Sequence, residues 1–298
     1  MNRKLKEIDE LLTGLNRSVG GHYRWLVQAF RVISRRDSDR EEITSLEAHN
    51  CCQFGSWLNH YLVTDSEDKG FLLTINDKHI LVHAVCRELV DSVLKNNIQE
   101  SLFNDFEHAL QEFVAAITAY QMHLLQLRIS YDALTSLPLR RILDESFESQ
   151  IRDRSNGDLY VMILDIDHFK RINDSYGHII GDEVLRAFAQ KLQSCTRHYE
   201  PVYRFGGEEF IVILKAKGVE EAKAAGLRIT HAIAQHQIRV GQYDIPVTVT
   251  SGLTRAIPGE LLRVVLERAD AAMYVGKQSG RNRCMYIDEQ GAIDRVQD

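Results

Sequence analysis

The chain has 298 residues, with 36 basic and 42 acidic side chains and a formal net charge of −6. This length predicts two domains, and the small negative charge argues against a nucleic-acid duplex as a partner. An odd number of cysteines, five, argues against a disulfide framework, and without an apolar signal core or spanning run the chain is expected to be cytoplasmic and not inserted in a membrane.

Residues 1–128 have the apolar period of helices. One stripe runs from Ile8 to Ile33 and another from Ile75 to Val93, each recurring every three or four residues. A shorter amphipathic segment begins with CCQFGSWL, and the last helix is expected to run to Leu134. Four such helices predict a bundle.

Three histidines fall on the apolar faces of this bundle. His22 lies in the first stripe, and His79 and His83 lie one turn apart on one helix face. Cys51 and Cys52 begin the short amphipathic segment that lies between the helix with His22 and the helix with His79 and His83. Buried imidazoles and a thiol are costly without partners, and one zinc ion would satisfy four such groups in tetrahedral geometry. The alternative is that each is an ordinary core residue with a local hydrogen bond.

The stretches GGHYRWL, CCQFGSW and HILVHAVCREL resemble the signature of the chemoreceptor zinc-binding (CZB) domain, a four-helix bundle. The resemblance implies that zinc is bound by His22, Cys52, His79 and His83. Position before FGSW favours Cys52 over Cys51.

Residues 129–298 alternate between strands and helices. The apolar run LYVMIL is a buried strand that ends at Asp165, and an amphipathic helix follows a loop with Gly177 and Gly181. PVYRFGGEEFIVIL predicts two strands joined by a tight turn, and a strand, a helix and a last strand follow. The pattern predicts an α+β domain with a mixed sheet, of the ferredoxin-like kind.

Two adjacent acids, Glu208 and Glu209, lie at the tip of the predicted hairpin. They repel each other unless a divalent cation lies between them and Asp165, and magnesium prefers such oxygen ligands. Gly206 and Gly207 let a ligand approach the backbone closely. The alternative, a solvated acidic turn, does not explain the matched acid on the neighbouring strand.

Four stretches, DALTSLPLRR, DIDHFKRINDSYGHIIGD, RFGGEEF and ADAAMYVGKQSGRNR, resemble the landmarks of the GGDEF family of diguanylate cyclases, in order. The resemblance implies a nucleotidyltransferase that joins two GTP molecules into cyclic di-GMP and releases two pyrophosphates. It implies a homodimer, catalytic magnesium, and cyclic di-GMP signalling of the kind that controls biofilms. With the bundle in front, it implies allosteric regulation by zinc, which is expected to inhibit.

The same resemblance assigns roles to residues of this chain. Asp165, Glu208 and the backbone carbonyl of Ile166 would hold magnesium, and Glu209 would be a further ligand or the base for the ribose hydroxyl. The residues implied in substrate binding are Asn173 and Asp182 for guanine, Lys170, Lys277 and Arg281 for the phosphates, and Phe169 and His178 beside them. For His178 structural packing is the alternative, and for Lys277 it is a solvated charge at a helix end.

Some positions depart from the family pattern. Ser136 and Leu139 replace the usual Gly and Asn, which affects a local turn. The product-inhibition site of the family would fall on Arg197 and Glu200. Glu200 stands where the family usually has Asp, and its side chain is one methylene longer. The alternative is that Arg197 and Glu200 form a plain ion pair at the end of a helix. Two other functions are considered. One is a catalytically silent domain that binds GTP or cyclic di-GMP as a signal, and the other is a zinc-binding interaction module.

Overall fold

The computed structural model describes residues 3–36, 41–63, 68–235 and 237–297. They fall into two compact units, Arg3–Ile129 and a second that begins at Ser130. Among the helices of the described part, none combines the length and the apolar character that crossing a membrane requires.

The N-terminal unit is helical throughout. Its helices are α1 Arg3–Arg35, α2 Glu41–Thr44, α3 Ala48–Cys51, α4 Gln53–Leu62, α5 Lys69–Leu94 and α6 Glu100–Arg128. The longer ones, α1, α4, α5 and α6, pack against one another as a bundle and bury one apolar face each, as their periodicity requires. Phe54, Phe113 and Tyr120 are among its fully buried side chains.

The helix α6 ends earlier than its apolar period indicates. It stops at Arg128, where the Ile129 amide closes the last turn on the Leu125 and Leu127 carbonyls. The predicted extension to Leu134 is wrong, because Tyr131 pairs with Pro138 in an isolated β-bridge and Leu134 packs against the core of the C-terminal unit. The apolar pattern continues past the end of α6, but its last residue, Leu134, packs in the core of the C-terminal unit and not in the bundle.

The C-terminal unit is a mixed sheet covered by helices. Its elements are α7 Arg140–Arg152, β1 Asp158–Ile166, α8 Phe169–Tyr176, α9 His178–Cys195, β2 Val202–Arg204, β3 Glu209–Ala216, α10 Val219–Ala234, β4 Ile238–Val240, β5 Tyr243–Ile245, β6 Val249–Arg255, α11 Leu262–Gln278, β7 Arg283–Ile287 and β8 Ile293–Arg295. The main sheet has the order β2-β3-β1-β6-β7-β8, with β6 and β7 parallel and the other pairs antiparallel. The predicted α+β class with a mixed sheet is confirmed.

Strand β1 lies in the middle of the sheet and is buried on both faces. Tyr160 and Met162 belong to the core shared with α9 and α10, whereas Val161 and Ile163 belong to the core shared with α7 and α11. Side chains alternate along a strand, so Asp165 continues the second set toward α11. The sequence of β1 thus delivers one carboxylate to the end of the sheet on the α11 side.

Candidate active site and metal centre

Three acidic residues lie around the end of β1. In the antiparallel pair of β1 and β3, Asp165 lies opposite Glu209, and the Ile166 amide donates to the Glu208 carbonyl over 3.2 Å. Burial raises the pKa of Asp165, Glu208 and Glu209, and repulsion from Asp165 raises the pKa of both glutamates further. The cluster favours a bound cation, because a positive charge would relieve this repulsion.

One cation of the protein already lies at this cluster. The Nζ atom of Lys277, in the last turn of α11, is 2.9 Å from the Asp165 carboxylate. Its charge opposes the rise in the pKa of Asp165, Glu208 and Glu209. Lys277 is half-buried, so neither partner is fully screened by water.

The glycine turn that carries the two glutamates is fixed by Arg204. Its guanidinium donates to the Gly207 carbonyl at 2.7 Å, to the Gly206 carbonyl at 3.3 Å and to Asp132 Oδ1 at 2.6 Å. The same Asp132 oxygen accepts the Thr135 amide. The DALT stretch is therefore tied to the GGEEF turn, an arrangement that sequence reasoning missed.

The residues expected at guanine lie where α8 meets α9. Gly177, with φ +84°, separates the two helices. A methyl group at Gly181 would overlap the Asn173 side-chain oxygen, so the close approach of these two residues requires glycine. Asp182 and His178 are exposed in the first turns of α9.

Lys170 and Phe169 begin α8 but face different ways. Lys170 is exposed, whereas the Phe169 ring is buried in the core beside Ile172. Only the backbone of Phe169, at the N-terminus of α8, is therefore available to a nucleotide.

The loop after α11 carries Arg281 in a strained conformation. Arg281 and Asn282 both have positive φ values, 63° and 46°, which non-glycine residues rarely adopt. The Asn282 amide donates to the buried carboxylate of Asp167. Sequence reasoning missed Asp167, although its spacing of two from Asp165 was a visible signal.

The residues expected to bind product form a closed turn. The Glu200 side chain is buried and accepts the Arg197 backbone amide over 2.8 Å. The Arg197 guanidinium is exposed, 4.0 Å from Glu200 and 3.8 Å from Glu221, and it donates to the Tyr199 hydroxyl at 2.9 Å.

The N-terminal unit brings four candidate zinc ligands together. One donor atom each from His22, Cys52, His79 and His83 lies within 4.8 Å of the others, and all four residues are buried. The Cys52 sulfur is 3.2 Å from His79 Nε2, whereas Cys51 is exposed. No group in the described part of the chain hydrogen-bonds either ring nitrogen of His22 or His83, or Nδ1 of His79. Orphaned buried nitrogens fit a site built for a metal ion.

Burial keeps these imidazoles in the form that a metal requires. It lowers the pKa of His22 to about 4, of His79 to about 3 and of His83 to about 2, with repulsion among the rings adding to the last two. Neutral imidazole is the ligand form of histidine.

The Cys52 thiol caps helix α4. Its sulfur accepts the Gly55 amide at 3.2 Å. Burial raises the Cys52 pKa, and the amides of Gly55 and Phe54 oppose that rise, as helix N-termini do for thiolates. A side chain at Gly55 would overlap the His49 carbonyl and crowd His79, which explains the glycine three residues after the ligand.

Comparison with known proteins agrees with this geometry. Residues 129–283 match the family described as diguanylate cyclase, GGDEF domain. The diguanylate cyclase DgcZ of Escherichia coli K12 is 47% identical over 296 residues, which cover 99% of this chain and 100% of that protein. The diguanylate cyclase DgcP of Pseudomonas aeruginosa is 34% identical over 82% of this chain, but this match spans only 35% of DgcP.

A solved structure agrees with the fold of the second unit. The coiled coil and GGDEF domain of DgcB from Caulobacter crescentus, in complex with c-di-GMP, matches 60% of this chain and 98% of its own, with a TM-score of 0.51 and 29% identity. The fold and the acid cluster together define a nucleotide-cyclase domain that follows a helical bundle. The chain belongs to the GGDEF family of diguanylate cyclases.

Proposed function

We propose that this diguanylate cyclase holds Mg²⁺ with Asp165, Glu208 and the Ile166 carbonyl while it condenses two GTP molecules into cyclic di-GMP and two pyrophosphates. The observation that carries the proposal is that Asp165 lies opposite Glu209 at the end of β1 and that repulsion from Asp165 raises the pKa of both Glu208 and Glu209. Their oxygen donors suit a hard divalent cation. Magnesium, when bound, neutralises charge on the leaving pyrophosphate and lowers the pKa of the attacking hydroxyl.

The protein side chains would bind, orient and deprotonate the substrate. Lys277, Arg281 and Lys170 would contact the β- and γ-phosphates, with Lys277 moving from Asp165 to the incoming anion. Glu209 would accept the proton of the ribose hydroxyl, a role that its raised pKa favours. Positioning and charge stabilisation supply most of the catalysis in such reactions.

Selection of guanine would depend on Asn173 and Asp182. A carboxylate opposite the N1 and N2 donors of guanine is left without partners when adenine is bound. Such a mismatch discriminates by up to roughly 10⁴-fold in sites built for a hydrogen-bonding substrate. His178 and the Phe169 backbone would border this part of the site.

The reaction would need a homodimer. Each catalytic unit offers one acid cluster and one set of phosphate-binding cations, so two units must face each other across a two-fold axis to join two GTP molecules. The enzyme would act in the cytoplasm, where GTP is present.

Product would bind at Arg197 chiefly through its guanidinium. The Glu200 carboxylate is buried and already accepts an amide, which leaves Arg197 as the group with access to a phosphate.

Zinc bound by His22, Cys52, His79 and His83 would inhibit the cyclase. The four donors lie close enough to share one ion, and α6 ends at Arg128, one residue before Ile129 completes the N-terminal unit and Ser130 begins the second. An ion that fixes the bundle helices would change how readily two GTP sites meet.

The reaction is tested by incubating the purified protein with GTP and magnesium and separating the nucleotides by chromatography. We expect Glu208→Gln to lower the rate of product formation by at least about 100-fold, as loss of one charge-stabilising group typically does. The exposed acid Glu267 on α11 provides the matched control, Glu267→Gln, with an unchanged rate. Bound GTP without product would favour the silent signalling domain instead.

Zinc regulation is tested in the same assay. Removal of zinc with a strong chelator should raise the rate, and added zinc should lower it. His79→Ala should abolish this response, whereas His60→Ala, at an exposed position on α4, should keep it. A wild-type rate that responds to neither treatment would contradict the proposal.

A further inference from the structure

Asp167 is a buried acid with an unusual set of partners. Its Oδ1 accepts the Thr250 hydroxyl at 2.6 Å, and its Oδ2 accepts the Thr248 hydroxyl at 2.7 Å and the Asn282 amide at 3.0 Å. Its own amide donates to the Thr248 carbonyl over 2.9 Å. The side chain is only 6% exposed. One carboxylate thus joins the end of β1, the start of β6 and the loop after α11.

The loop that Asp167 holds is the one that carries Arg281. Two consecutive non-glycine residues with positive φ are unfavourable unless the surroundings enforce them. The Arg281 amide closes back onto the Gly276 carbonyl at 3.1 Å, in the last turn of α11. The Asn282 amide, immediately after, is held by Asp167. These two bonds fix the backbone of Arg281 from both sides.

Thr250 connects the same carboxylate to α11 itself. Its hydroxyl donates to Asp167, and its methyl group faces Gly276, where an added Cβ would lie only 2.8 Å from it. Gly276 directly precedes Lys277, whose ammonium group contacts Asp165. The position of both cations therefore depends on how this end of α11 is seated on β6.

We propose that Asp167 is a positioning residue for the cyclase reaction, which holds Arg281, and with it the last turn of α11, at the distance from Asp165 that a magnesium-bound triphosphate requires. The inference rests on the phosphate-binding role proposed for Arg281. In this role Asp167 acts through hydrogen bonds, because its two oxygens accept three hydrogen bonds from the protein that fix their orientation. Displacement of a substrate-binding group by about 1 Å can cost roughly 100-fold in rate.

Asparagine and alanine at position 167 separate the two possible roles. In Asp167→Asn, the remaining oxygen can accept the Asn282 amide, while the Thr250 hydroxyl rotates to accept the new NH₂ group. We expect Asp167→Ala to raise KM for GTP by roughly 10- to 100-fold with a smaller fall in kcat, and Asp167→Asn to restore most of that loss. Asp165→Asn should lack activity at every GTP concentration.

A double-mutant cycle tests whether Asp167 acts through Arg281. Arg281→Ala should raise KM, and adding Asp167→Ala to it should raise KM little further, since the group being positioned is gone. Additive losses in the double variant, or an Asp167→Asn enzyme as inactive as Asp165→Asn, would overturn the inference while leaving the proposed function intact. If Arg281→Ala leaves KM unchanged, the phosphate role of Arg281 fails, and the inference fails with it.

A pair of variants at Thr248 tests the same role if Asp167→Ala fails to fold. Thr248→Val removes one donor to the carboxylate at nearly constant shape, and Thr248→Ser keeps the hydroxyl. We expect the valine variant to raise KM several-fold at an unchanged melting temperature and the serine variant to match the wild type. Equal KM values for the two would contradict the positioning role.

Discussion

Lys277 and Asp165 form an ion pair across the end of β1, with 2.9 Å between the ammonium nitrogen and the carboxylate. Asp165 is buried and Lys277 is half-buried, and the pair lies beside the glutamates expected to help hold a metal ion. In this state the lysine supplies the positive charge that the cluster needs. In the proposed mechanism, substrate and metal would take the place of this ion pair, and Lys277 would exchange Asp165 for a phosphate.

Removal of this lysine should move the pH dependence of the enzyme. Lys277 lowers the pKa of Asp165, Glu208 and Glu209, so Lys277→Ala lets those pKa values rise. In the proposed mechanism the acids act when ionised, and the rising acidic limb of kcat/KM should therefore shift to higher pH. KM for GTP should rise roughly 10-fold or more, on the scale of a charge-assisted hydrogen bond.

This shift is measured by profiling kcat/KM between pH 5.5 and 9 at saturating magnesium. Lys191→Ala, which replaces another half-buried lysine near the C-terminal end of α9, is the matched control and should retain the wild-type profile. An acidic limb that stays in place in Lys277→Ala would show that the lysine does not act on the cluster.

The two adjacent cysteines should differ completely in zinc binding. Cys52→Ser should lose the zinc that Cys51→Ser retains, because the Cys52 sulfur lies among the three imidazoles and Cys51 is exposed. Metal analysis gives the stoichiometry. Replacement of zinc by cobalt gives a direct signal, since the thiolate-to-cobalt absorption should vanish only in Cys52→Ser. Loss of this absorption in Cys51→Ser instead would reverse the assignment.

Much of the architecture could be predicted from local pattern. The six-residue apolar run before Asp165 specifies a central strand because both faces of β1 are buried, and the spacing of four between His79 and His83 puts both rings on one helix face. In each case the residues that act together are close in sequence and belong to one strand or one helix. Such short-range patterns can be recognised in the sequence without knowledge of the tertiary structure.

Other features depend on contacts between distant segments. Arg204 meets Asp132, 72 residues earlier, and Asp167 meets Asn282, 115 residues later, so the spacing of neither residue indicates its partner. The strand β8 and the hairpin β4–β5 escaped prediction because strands of three residues are too short to show alternation, and none of them borders a glycine pair like the one that indicated the equally short β2. The apolar periodicity likewise could not show that α6 ends at Arg128, because the apolar pattern continues beyond that residue.

The zinc-free bundle should be sensitive to acid. The three buried histidines have an ordinary pKa of 6.5 when unfolded and about 4, 3 and 2 when folded, so below pH 6.5 the unfolded chain binds more protons. Their contribution to stability is therefore present above pH 6.5 and is lost as the pH falls toward the folded pKa values. Three protons correspond to at most about 4 kcal/mol of unfolding free energy per pH unit.

Tryptophan fluorescence can isolate this effect. Both tryptophans of the chain, Trp25 and Trp57, lie in the N-terminal unit, and the Trp25 ring is 3.7 Å from that of His83. Urea unfolding of chelator-treated protein at pH 7 and 5.5 should show the loss. His22→Leu should reduce the slope by up to one proton, at most about 1.4 kcal/mol per pH unit, and the exposed His108→Gln should not. Equal stability at both pH values would contradict the buried neutral state.

Gly181→Ala should damage substrate selection without damaging the fold. An added Cβ would overlap the Asn173 side-chain oxygen, so that amide must turn away from its position at the junction of α8 and α9. Alanine is the better helix former by about 1 kcal/mol, which offsets part of the local strain. We therefore expect KM for GTP to rise roughly 10-fold or more and discrimination against ATP to weaken, at a nearly unchanged melting temperature.

The matched control is Gly70→Ala on α5, where an added Cβ meets no atom within 4 Å. It makes the same chemical change in a helix and should leave KM and the preference for GTP as they are. A Gly181→Ala enzyme with wild-type KM would mean that Asn173 does not contact the base, since the substitution must displace that side chain whatever it binds. Reduced selectivity together with a normal melting temperature would instead locate guanine recognition at this helix junction.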